Sequence, residues 1–293
     1  MAGVLIVNPF ASRVTDARAE AVADALGVTE LVRTERRGHA TELAAEASGN
    51  VEALYVFSGD GGFNEVLNGL DRSTPVGLVP GGGASVLPRA LGIPRDPLAA
   101  ARALRDGVPR GISLGRVNGR RFGFSAGLGL DAEIVRRVDA LGRRADGRRP
   151  GDRAFVAAAL RAVAARRGRF EPVVELGGGE RVAFVLVANC DPYTFAGRLP
   201  LHIAPAARFD AGLDVVAPRR VRARSLPRLA RYAAFGRGQE RAADVVYVHD
   251  VDVVSARADE PLPLQADGED LGDADEVRWE AERDAALVLM PRA

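Results

Sequence analysis

The sequence contains no lysine, and all 40 of its basic residues are arginine. A Walker A phosphate loop requires a lysine at the β- and γ-phosphates, and a protein kinase requires one on its third strand. Both classes are therefore excluded, as are enzymes that form a Schiff base through a lysine. A genome rich in G and C explains the missing lysine more simply than a functional requirement does.

Cysteine, histidine and long apolar runs are also scarce. The single cysteine, Cys190, excludes an internal disulfide and a thiolate metal cluster, and the three histidines lack metal-ligand spacing. No apolar run approaches the roughly 18 residues that span a bilayer, and the N-terminal segment lacks the basic region and cleavage site of a signal peptide. We therefore expect a cytoplasmic protein, and the formal net charge of +1 indicates no particular partner.

The first third of the 293-residue chain alternates short apolar strand signals with helix signals. This alternation predicts βαβ units around a parallel sheet, in an α/β domain that covers residues 1–117. Ligands bind such sheets at the carboxyl ends of the strands. Turn residues follow three of these strands, at Asn8-Pro9, at Ser58 to Gly62 and at Pro80 to Gly83, so we expect a binding site there.

The remaining residues, 118–293, predict a β-rich second domain. Asn118-Gly119 between two strand signals is a strong indication of a hairpin, and the later apolar segments indicate antiparallel strands. The last of these segments, residues 285–289, is a candidate to return to the first domain. A chain of this length favours two domains that share a cleft.

The glycine-rich segment 58–65 is the first candidate site. Glycines after a strand let the backbone approach a ligand closely, and the helix that follows presents N–H groups and a positive dipole end to phosphate. Asp60 would repel phosphate unless a cation lies between them, which indicates Mg²⁺ bound with a nucleotide. A strand–helix turn capped by Asp60 is the alternative. The segment from Pro80 to Ser85 exposes further amides, and two such loops together favour a phosphate cradle.

Two carboxylate motifs lie in the second domain. Asp267 and Glu269 flank a turn glycine, so one is a candidate general base for a hydroxyl and the other a candidate to orient it. An ordinary hairpin turn is the alternative there. Asp131 follows a glycine-rich strand end and begins a helix, where an N-cap is the alternative interpretation.

These motifs, with Thr34, Gly38-His39-Ala40 and Asn68-Gly69-Leu70, occur in the order seen in the diacylglycerol kinase catalytic-domain family. That family also includes sphingosine kinases and bacterial lipid kinases. The sequence resembles it over nearly its whole length, most specifically in about the first hundred residues. The resemblance implies an NAD-kinase-like α/β domain, a β-rich second domain and ATP-dependent phosphorylation of a lipid hydroxyl.

The resemblance also implies the roles of individual residues. The residues that would bind ATP are Asn8, Thr34, Ser58, Gly59, Asp60, Gly61, Gly62, Asn64, Gly82 and Gly83. Asp60 and Asp131 would hold Mg²⁺ directly or through water. Glu269 would accept the proton of the lipid hydroxyl, with Asp267 beside it, so that the catalytic residues are Glu269, Asp267 and Asp60.

Both glycine-rich loops depart from the family pattern. The first usually reads Gly-Gly-Asp-Gly-Thr, but here Ser58 replaces the first glycine and Gly62 replaces the threonine. In the second, usually Gly-Thr-Gly-Asn-Asp, the threonine, asparagine and aspartate positions hold Gly83, Ser85 and Val86. Phosphate binding would therefore rely on backbone amides. The alternative to a kinase is an inactive or weakened homologue that binds lipid or nucleotide.

Three further interpretations concern the second domain. An Asp-Asp-Gly turn, which holds a structural Mg²⁺ in bacterial members, reads Asp210-Ala211-Gly212 here, so the sequence leaves that metal site open. Gly123 to Gly127 matches the G-x-S-x-G elbow of α/β-hydrolases around Ser125, but no helix follows the serine directly, so a hydrolase is disfavoured. A homodimer is compatible with the sequence.

The segment 136–169 is dense in arginine. It suits a peripheral membrane surface that faces anionic lipid headgroups, with an apolar side formed by Phe155, Val156, Leu160 and Val163. A solvated helical face is the alternative. Nucleic acid is not expected as a partner, because no aromatic residues are interleaved with the arginines and an acidic segment, residues 244–284, would oppose binding.

Overall fold

The structure, a computed structural model, describes residues 3–142 and 150–292. The described chain divides into two compact units. The first contains residues 3–113 together with residues 284–292, and the second contains residues 114–142 and 150–283.

The first unit alternates strands and helices along the chain. Its strands are β1 (Gly3–Val7), β2 (Glu30–Arg33), β3 (Ala53–Ser58) and β4 (Val76–Pro80). Its helices are α1 (Asp16–Leu26), α2 (His39–Ala47), α3 (Asp60–Gly69), α4 (Val86–Ala90) and α5 (Pro97–Arg105).

The four strands form a parallel sheet in the order β4-β3-β1-β2. Every residue of β1, β3 and β4 is buried, as expected where helices cover both faces of a parallel sheet. The connection from β1 leads outward to β2, and the connection from β3 leads the opposite way to β4. The carboxyl ends of β1 and β3 therefore form a topological switch point, where open α/β sheets bind ligands. The predicted α/β first domain is confirmed.

The second unit is mainly antiparallel. Its strands are the end of β5 (Val108–Val117), β6 (Arg120–Phe122), β7 (Ser125–Leu128), β8 (Val174–Leu176), β9 (Arg181–Val182), β10 (Val185–Ala188), β11 (Thr194–Ala196), β12 (Leu199–Leu201), β13 (Leu213–Pro218), β14 (Val245–Val251), β15 (Val253–Ala266) and most of β16 (Glu269–Met290). Its helices are α6 (Leu130–Asp139), α7 (Asp152–Ala165) and α8 (Leu226–Phe235), with two short 3₁₀ turns at Ala223–Ser225 and Gln239–Arg241.

The long strand β15 joins two parts of this unit. Through residues 256–258 it pairs with β8, and through residues 264–266 it pairs with β7, which continues to β10, β13 and β14. Its pairing with β16 shifts register between Arg257 and Leu262, which bends the strand. The core between these strands is built around the fully buried Trp279 and Phe122. The predicted β-rich second domain is confirmed.

Two local expectations can be compared directly with the structure. Asn118-Gly119 forms the two-residue turn between β5 and β6, with both residues at positive φ (+45° and +90°), as the sequence predicted. The strand at residues 285–289 was expected to be antiparallel. Val288 pairs in parallel with Val76 of β4, in the first unit, and the same strand also pairs with β5.

Candidate active site

The loop after β3 passes directly into α3, which begins at Asp60 with Gly59 as its N-cap residue. Gly59 has extended backbone and no side chain to cap the first turn, so the amides of that turn depend on other partners. Phe63, Val66 and Leu67 bury one face of α3. The buried face holds the amino end of the helix at the carboxyl end of β3, an arrangement that suits an anion.

The second glycine-rich loop contacts the first one. The Gly81 amide donates to the Ser58 carbonyl at 2.6 Å, and a Cβ built on Gly82 would lie 2.8 Å from the Cα of Gly59. Only glycine permits this approach. The Leu87 amide, in the helix after the second loop, donates to Oδ1 of Asp60 at 3.4 Å. The structure thus brings together the two loops that the sequence singled out.

Asn8 lies at the same end of the sheet. Its backbone amide donates to the Phe57 carbonyl at 3.0 Å, and its Oδ1 accepts from the Phe10 amide at 3.0 Å. Its Nδ2 lies 3.6 Å from the point where a Cβ on Gly62 would lie, so the Asn8 side chain borders the first loop. Thr34 is buried at the end of β2, and its amide donates to the Val7 carbonyl.

The remaining predicted residues of the first unit differ in their surroundings. Asn64 is fully buried in α3, and its side-chain oxygen accepts from Nδ2 of Asn68 at 3.3 Å. Gly83 is exposed, and a Cβ there would meet nothing within 4 Å, so the threonine of the family pattern would fit at this position. Gly61 lies in the first turn of α3, beside Asp60.

Glu65 has a structural role that the motif alone did not reveal. Its two carboxylate oxygens accept from the amides of Gly38 and Ala40, at 2.9 and 3.2 Å. These amides lie at the start of α2, so Glu65 links α3 to the amino end of α2. The motif Gly38-His39-Ala40 and the segment 58–65 are therefore two sides of one contact.

Asp131 is partly buried at the start of α6. Its Oδ2 accepts from the Tyr193 hydroxyl at 2.6 Å and from Nε2 of Gln265 at 2.8 Å, and its Oδ1 accepts from the Ala132 amide at 2.9 Å. Burial raises the pKa of Asp131, although the hydrogen bonds from Tyr193 and Gln265 oppose the shift. A Cβ on Gly127 would lie 2.6 Å from its Cγ, so glycine is required there. No sequence motif had indicated that Tyr193 belongs to this site.

Asp267 forms the turn between β15 and β16 with Gly268, and both residues have positive φ (+48° and +74°). Its Oδ2 accepts from the Gly123 amide at 2.7 Å. Its Oδ1 accepts from the Phe124 and Ser125 amides at 2.9 and 3.2 Å. Only 3% of Asp267 is exposed. The side chain thus fixes the connection between β6 and β7.

Glu269 lies two residues further on and has a different environment. Its Oε2 is 2.6 Å from a guanidinium nitrogen of Arg120, and its side chain is 17% exposed. The carboxylate therefore has both an ion-pair partner and access to solvent. The two carboxylates of this motif are separated by one residue, yet Asp267 accepts from three backbone amides and Glu269 pairs with a guanidinium.

Comparisons with known proteins agree with this geometry. Residues 2–117 match the family model described as the diacylglycerol kinase catalytic domain. Residues 125–288 match the model described as the YegS C-terminal NAD kinase beta sandwich-like domain. The second model covers more than half of the chain, which therefore belongs to the family that it describes, and residues 2–117 match the diacylglycerol kinase catalytic domain. The resemblance seen in the sequence motifs is thereby confirmed.

Individual relatives are similar to this chain over part of their length. A diacylglycerol kinase of Bacillus subtilis (strain 168) is 42% identical over 103 residues, which are 33% of this chain and 34% of that protein. A sphingoid long-chain bases kinase of Arabidopsis thaliana is 39% identical over 89 residues, 27% of this chain and 12% of that protein. The chain thus aligns with about a third or less of these curated relatives.

A solved structure shows the same fold over the whole chain. A diacylglycerol kinase from Bacillus anthracis str. Sterne superposes with a TM-score of 0.72 and 19% sequence identity. The superposition covers 99% of this chain and 96% of the other.

Two interpretations of the second unit can be compared with the structure: a structural metal at residues 210–212 and a nucleophile at Ser125. Asp210 pairs with Arg208, and Asp250, which accepts from the Gly212 amide, pairs with Arg283. In the part of the chain that the structure describes, no three His, Cys, Asp or Glu side chains gather into a metal site.

Ser125 begins strand β7 and is buried, whereas a nucleophile elbow needs a strand-to-helix turn, so the hydrolase interpretation is wrong.

The arginine-rich segment is only partly described, because Arg143, Arg144, Arg148 and Arg149 lie outside the described residues. Arg136 pairs with Asp270 and Asp273, and Arg137 and Arg166 both pair with Glu133. Val156 and Leu160 of α7 are exposed. Among the described helices, none combines the length and apolarity needed to cross a membrane.

Proposed function

We propose that this protein transfers the γ-phosphate of ATP to the hydroxyl of a lipid. Membership of the kinase family supports a phosphotransferase. The observation that carries the proposal is the contact between the two glycine-rich loops, where Gly81 donates to Ser58 and Gly82 packs on Gly59. These loops lie at the switch point of the sheet, beside the amino end of α3, where backbone amides can bind phosphate.

Mg²⁺ fits Asp60 in this proposal. Asp60 lies in the first turn of α3 and accepts from the Leu87 amide in α4, the helix that follows the second loop. A carboxylate placed among phosphate-binding amides requires a cation, and Mg²⁺ is commonly held by one or two carboxylates with phosphate oxygens and water. When bound, the ion would neutralise charge on the transferring phosphate. Asp131 suits direct coordination less well, because both of its oxygens already accept hydrogen bonds.

Glu269 is the proton acceptor in this proposal. A lipid hydroxyl has a high pKa and attacks phosphorus poorly without a positioned base. The Glu269 carboxylate is accessible and is oriented by Arg120. Asp267 would have to give up bonds to three backbone amides before it could take a proton. We therefore assign Asp267 the task of holding the turn that carries Glu269.

A lipid substrate brings the protein to a membrane surface, and α7 is the element that we propose for this contact. Its exposed side chains Val156 and Leu160 lie one helical turn apart, and Arg153 and Arg161 beside them are also exposed. Apolar side chains flanked by arginines suit an interfacial helix at anionic headgroups. A peripheral contact of this kind needs no membrane-spanning helix.

A homologue that binds without transferring phosphate is the second candidate. It is favoured by Gly83, an exposed loop position where a threonine would fit but no hydroxyl is present. The two candidates differ in turnover. Only a kinase moves labelled phosphate from ATP to a lipid.

The deciding experiment measures transfer of labelled γ-phosphate from ATP to a panel of lipids in mixed micelles. The wild type should label at least one lipid, and Asp60→Asn should lower the rate by about 10²-fold or more. Asp24→Asn is the control, because Asp24 is exposed in the last turn of α1, at the opposite end of that helix from its start beside the second loop. Wild-type turnover in Asp60→Asn would remove Asp60 from the mechanism, and ATP binding without any transfer would favour the second candidate.

A further inference from the structure

The segment 219–239 carries seven arginines and no acidic residue. The formal net charge of the whole chain is only +1, so this segment concentrates positive charge in one place. It follows β13, which ends at Pro218, and it contains the 3₁₀ turn Ala223–Ser225 and helix α8. The residues of the proposed kinase site lie elsewhere in the chain.

Two of these arginines lie on the same side of the chain because the residue between them is buried. Val221 is 1% exposed, and it exchanges two backbone hydrogen bonds of 3.0 Å with Phe170. Successive side chains of an extended segment alternate between its faces, so Arg220 and Arg222 lie opposite Val221. Nε of Arg220 is 2.9 Å from Oε2 of Glu171, and Nη1 of Arg222 is 2.9 Å from Oε1. One carboxylate therefore serves two guanidinium groups.

The residues that follow add two more guanidinium groups. The Ser225 hydroxyl accepts from the Arg222 amide at 3.1 Å and donates to the Arg222 carbonyl at 2.8 Å, which fixes the turn between them. Arg228 lies in the first turn of α8 and pairs with Asp244. Arg224 lies within the fixed turn, and among the described residues it has no ion-pair partner.

Four guanidinium groups thus border one cavity of about 660 Å³. We call this cavity the arginine pocket, and its lining residues are Arg220, Arg222, Arg224, Ser225, Arg228 and Asp244. Glu171 and Asp244 supply two negative charges, so the four arginines leave an excess of two positive charges. The amino end of α8 adds a partial positive charge. Each guanidinium group has five N–H donors, of which the two carboxylates occupy only a few.

The arginine pocket lies far from the carboxylate that we propose as the proton acceptor. The strand order runs β16-β15-β7-β10-β13, so four strand-to-strand steps of about 4.8 Å separate Glu269 from β13. The pocket begins beyond Pro218, where β13 ends. A ligand in the pocket therefore does not touch Glu269, and a substitution there leaves the proposed catalytic residues of this unit in place.

We propose that the arginine pocket is an anion site that binds a terminal phosphate group, a phosphomonoester. Such a group carries a charge of about −1.5 to −2 at pH 7 and offers three acceptor oxygens, which matches the excess charge of the pocket. A phosphodiester or a carboxylate carries one negative charge and leaves half of that excess uncompensated. Guanidinium groups also bind phosphate through paired hydrogen bonds.

Two sources supply this chemistry, a lipid that ends in a phosphomonoester at a membrane surface and free inorganic phosphate. The first is also the kind of molecule that the proposed kinase would release. Binding in the arginine pocket does not depend on that activity, because the pocket belongs to the second unit and the glycine-rich loops belong to the first. It can be measured without any phosphate transfer.

Arg224→Gln is the variant that tests the pocket, and Arg231→Gln is its matched control. Both arginines are exposed, and neither has an ion-pair partner among the described residues. Both substitutions remove one positive charge from the segment 219–239, but of the two only Arg224 lines the cavity. The thermal midpoints of both variants should equal that of the wild type, because neither substitution breaks an ion pair.

Calorimetry measures the affinity for inorganic phosphate and for a short-chain phosphatidate below its micelle concentration. Sedimentation measures binding to phosphatidylcholine vesicles that contain either phosphatidate, a phosphomonoester, or phosphatidylglycerol, a phosphodiester. Arg224→Gln should weaken phosphatidate binding about 10-fold or more, the range for a hydrogen bond to a charged group. Arg231→Gln should weaken it less than about 3-fold, and Arg224→Lys should recover part of the loss because it restores the charge without the paired donors.

The soluble probes separate the two sources. If Arg224→Gln weakens binding of both inorganic phosphate and phosphatidate, the phosphate group alone is sufficient, and if it weakens only phosphatidate binding, the site requires the lipid. An equal loss in Arg224→Gln and Arg231→Gln overturns the proposal, as does a wild type that binds neither probe. Equal binding to phosphatidate and phosphatidylglycerol vesicles overturns the phosphomonoester assignment. A failure to phosphorylate any lipid overturns the proposed function alone.

Discussion

Asp267→Asn perturbs the second unit at a single buried carboxylate while it preserves size and shape. Asparagine tolerates the left-handed backbone of this position, φ +48°, as aspartate does. The substitution therefore leaves backbone strain unchanged. What changes is the set of acceptors offered to the amides of Gly123, Phe124 and Ser125.

The magnitude follows from those three bonds. The asparagine oxygen can keep the Phe124 and Ser125 amides, but the side-chain NH₂ then faces the Gly123 amide, so one buried donor meets another. Losing a charge-assisted hydrogen bond costs about 1.5–3 kcal/mol. The two retained bonds also weaken because their acceptor is now neutral. We expect the free energy of unfolding to fall by about 2–4 kcal/mol.

The assay is urea denaturation followed by tryptophan fluorescence. Trp279 is the only tryptophan in the sequence and is fully buried in the core of the second unit, so its emission reports on the unit that contains Asp267. Asp250→Asn is the matched control. Asp250 also has positive φ (+55°) and accepts a backbone amide, that of Gly212, but its side chain is 45% exposed. Water can replace the lost acceptor there, so the control should change the midpoint only slightly.

Phosphate transfer measured on the same variants separates structure from catalysis. A stable Asp267→Asn protein that has lost transfer more than about 10²-fold, beside a Glu269→Gln protein that keeps full transfer, would make Asp267 the base and refute the assignment to Glu269. A variant that keeps both its stability and its activity would show that the three backbone hydrogen bonds contribute little.

Three further predictions concern catalysis, pH and membrane binding. Glu269→Gln should block single-turnover phosphate transfer while ATP titration stays unchanged, and full transfer in this variant would contradict the assignment. Burial raises the pKa of Asp131, so the folded state binds its proton more tightly than the unfolded state, and stability declines as pH rises above the ordinary value of 3.8. In urea unfolding, the free energy of unfolding of Asp131→Asn should therefore rise relative to that of the wild type as pH increases from about 4. A difference between the two proteins that does not vary with pH would contradict this. Leu160→Ser should weaken sedimentation with anionic vesicles, wild-type binding should also weaken with added salt, and equal binding to neutral vesicles would contradict the role of the α7 arginines.

The sequence by itself determined the elements that depend on local pattern. Apolar runs alternating with helices predicted the parallel sheet, because a strand buried on both faces reads as a continuous apolar run. Asn118-Gly119 predicted its turn because both residues tolerate positive φ. The motif order also identified the family, and the carboxyl ends of the strands located the two glycine-rich loops before any coordinates were needed.

Tertiary structure alone decided what each site residue contacts. Asp267 and Glu269 are nearly adjacent, yet their partners come from Gly123 to Ser125 and from Arg120, more than a hundred residues away in sequence. Asp131 accepts hydrogen bonds from Tyr193 and Gln265, which no local pattern connects to it. The direction of the final strand is likewise set by its neighbour β4, because strand propensity carries no information about orientation.

The steric conflict between the Ser58 side chain and any side chain at residue 62 also needed the structure, although the two residues are only four apart. The sequence shows that a hydroxyl is absent at one position and present at another. Only the angle between β3 and α3 places both in one volume, because the strand and the helix that follows it are oriented by the packing of the whole sheet.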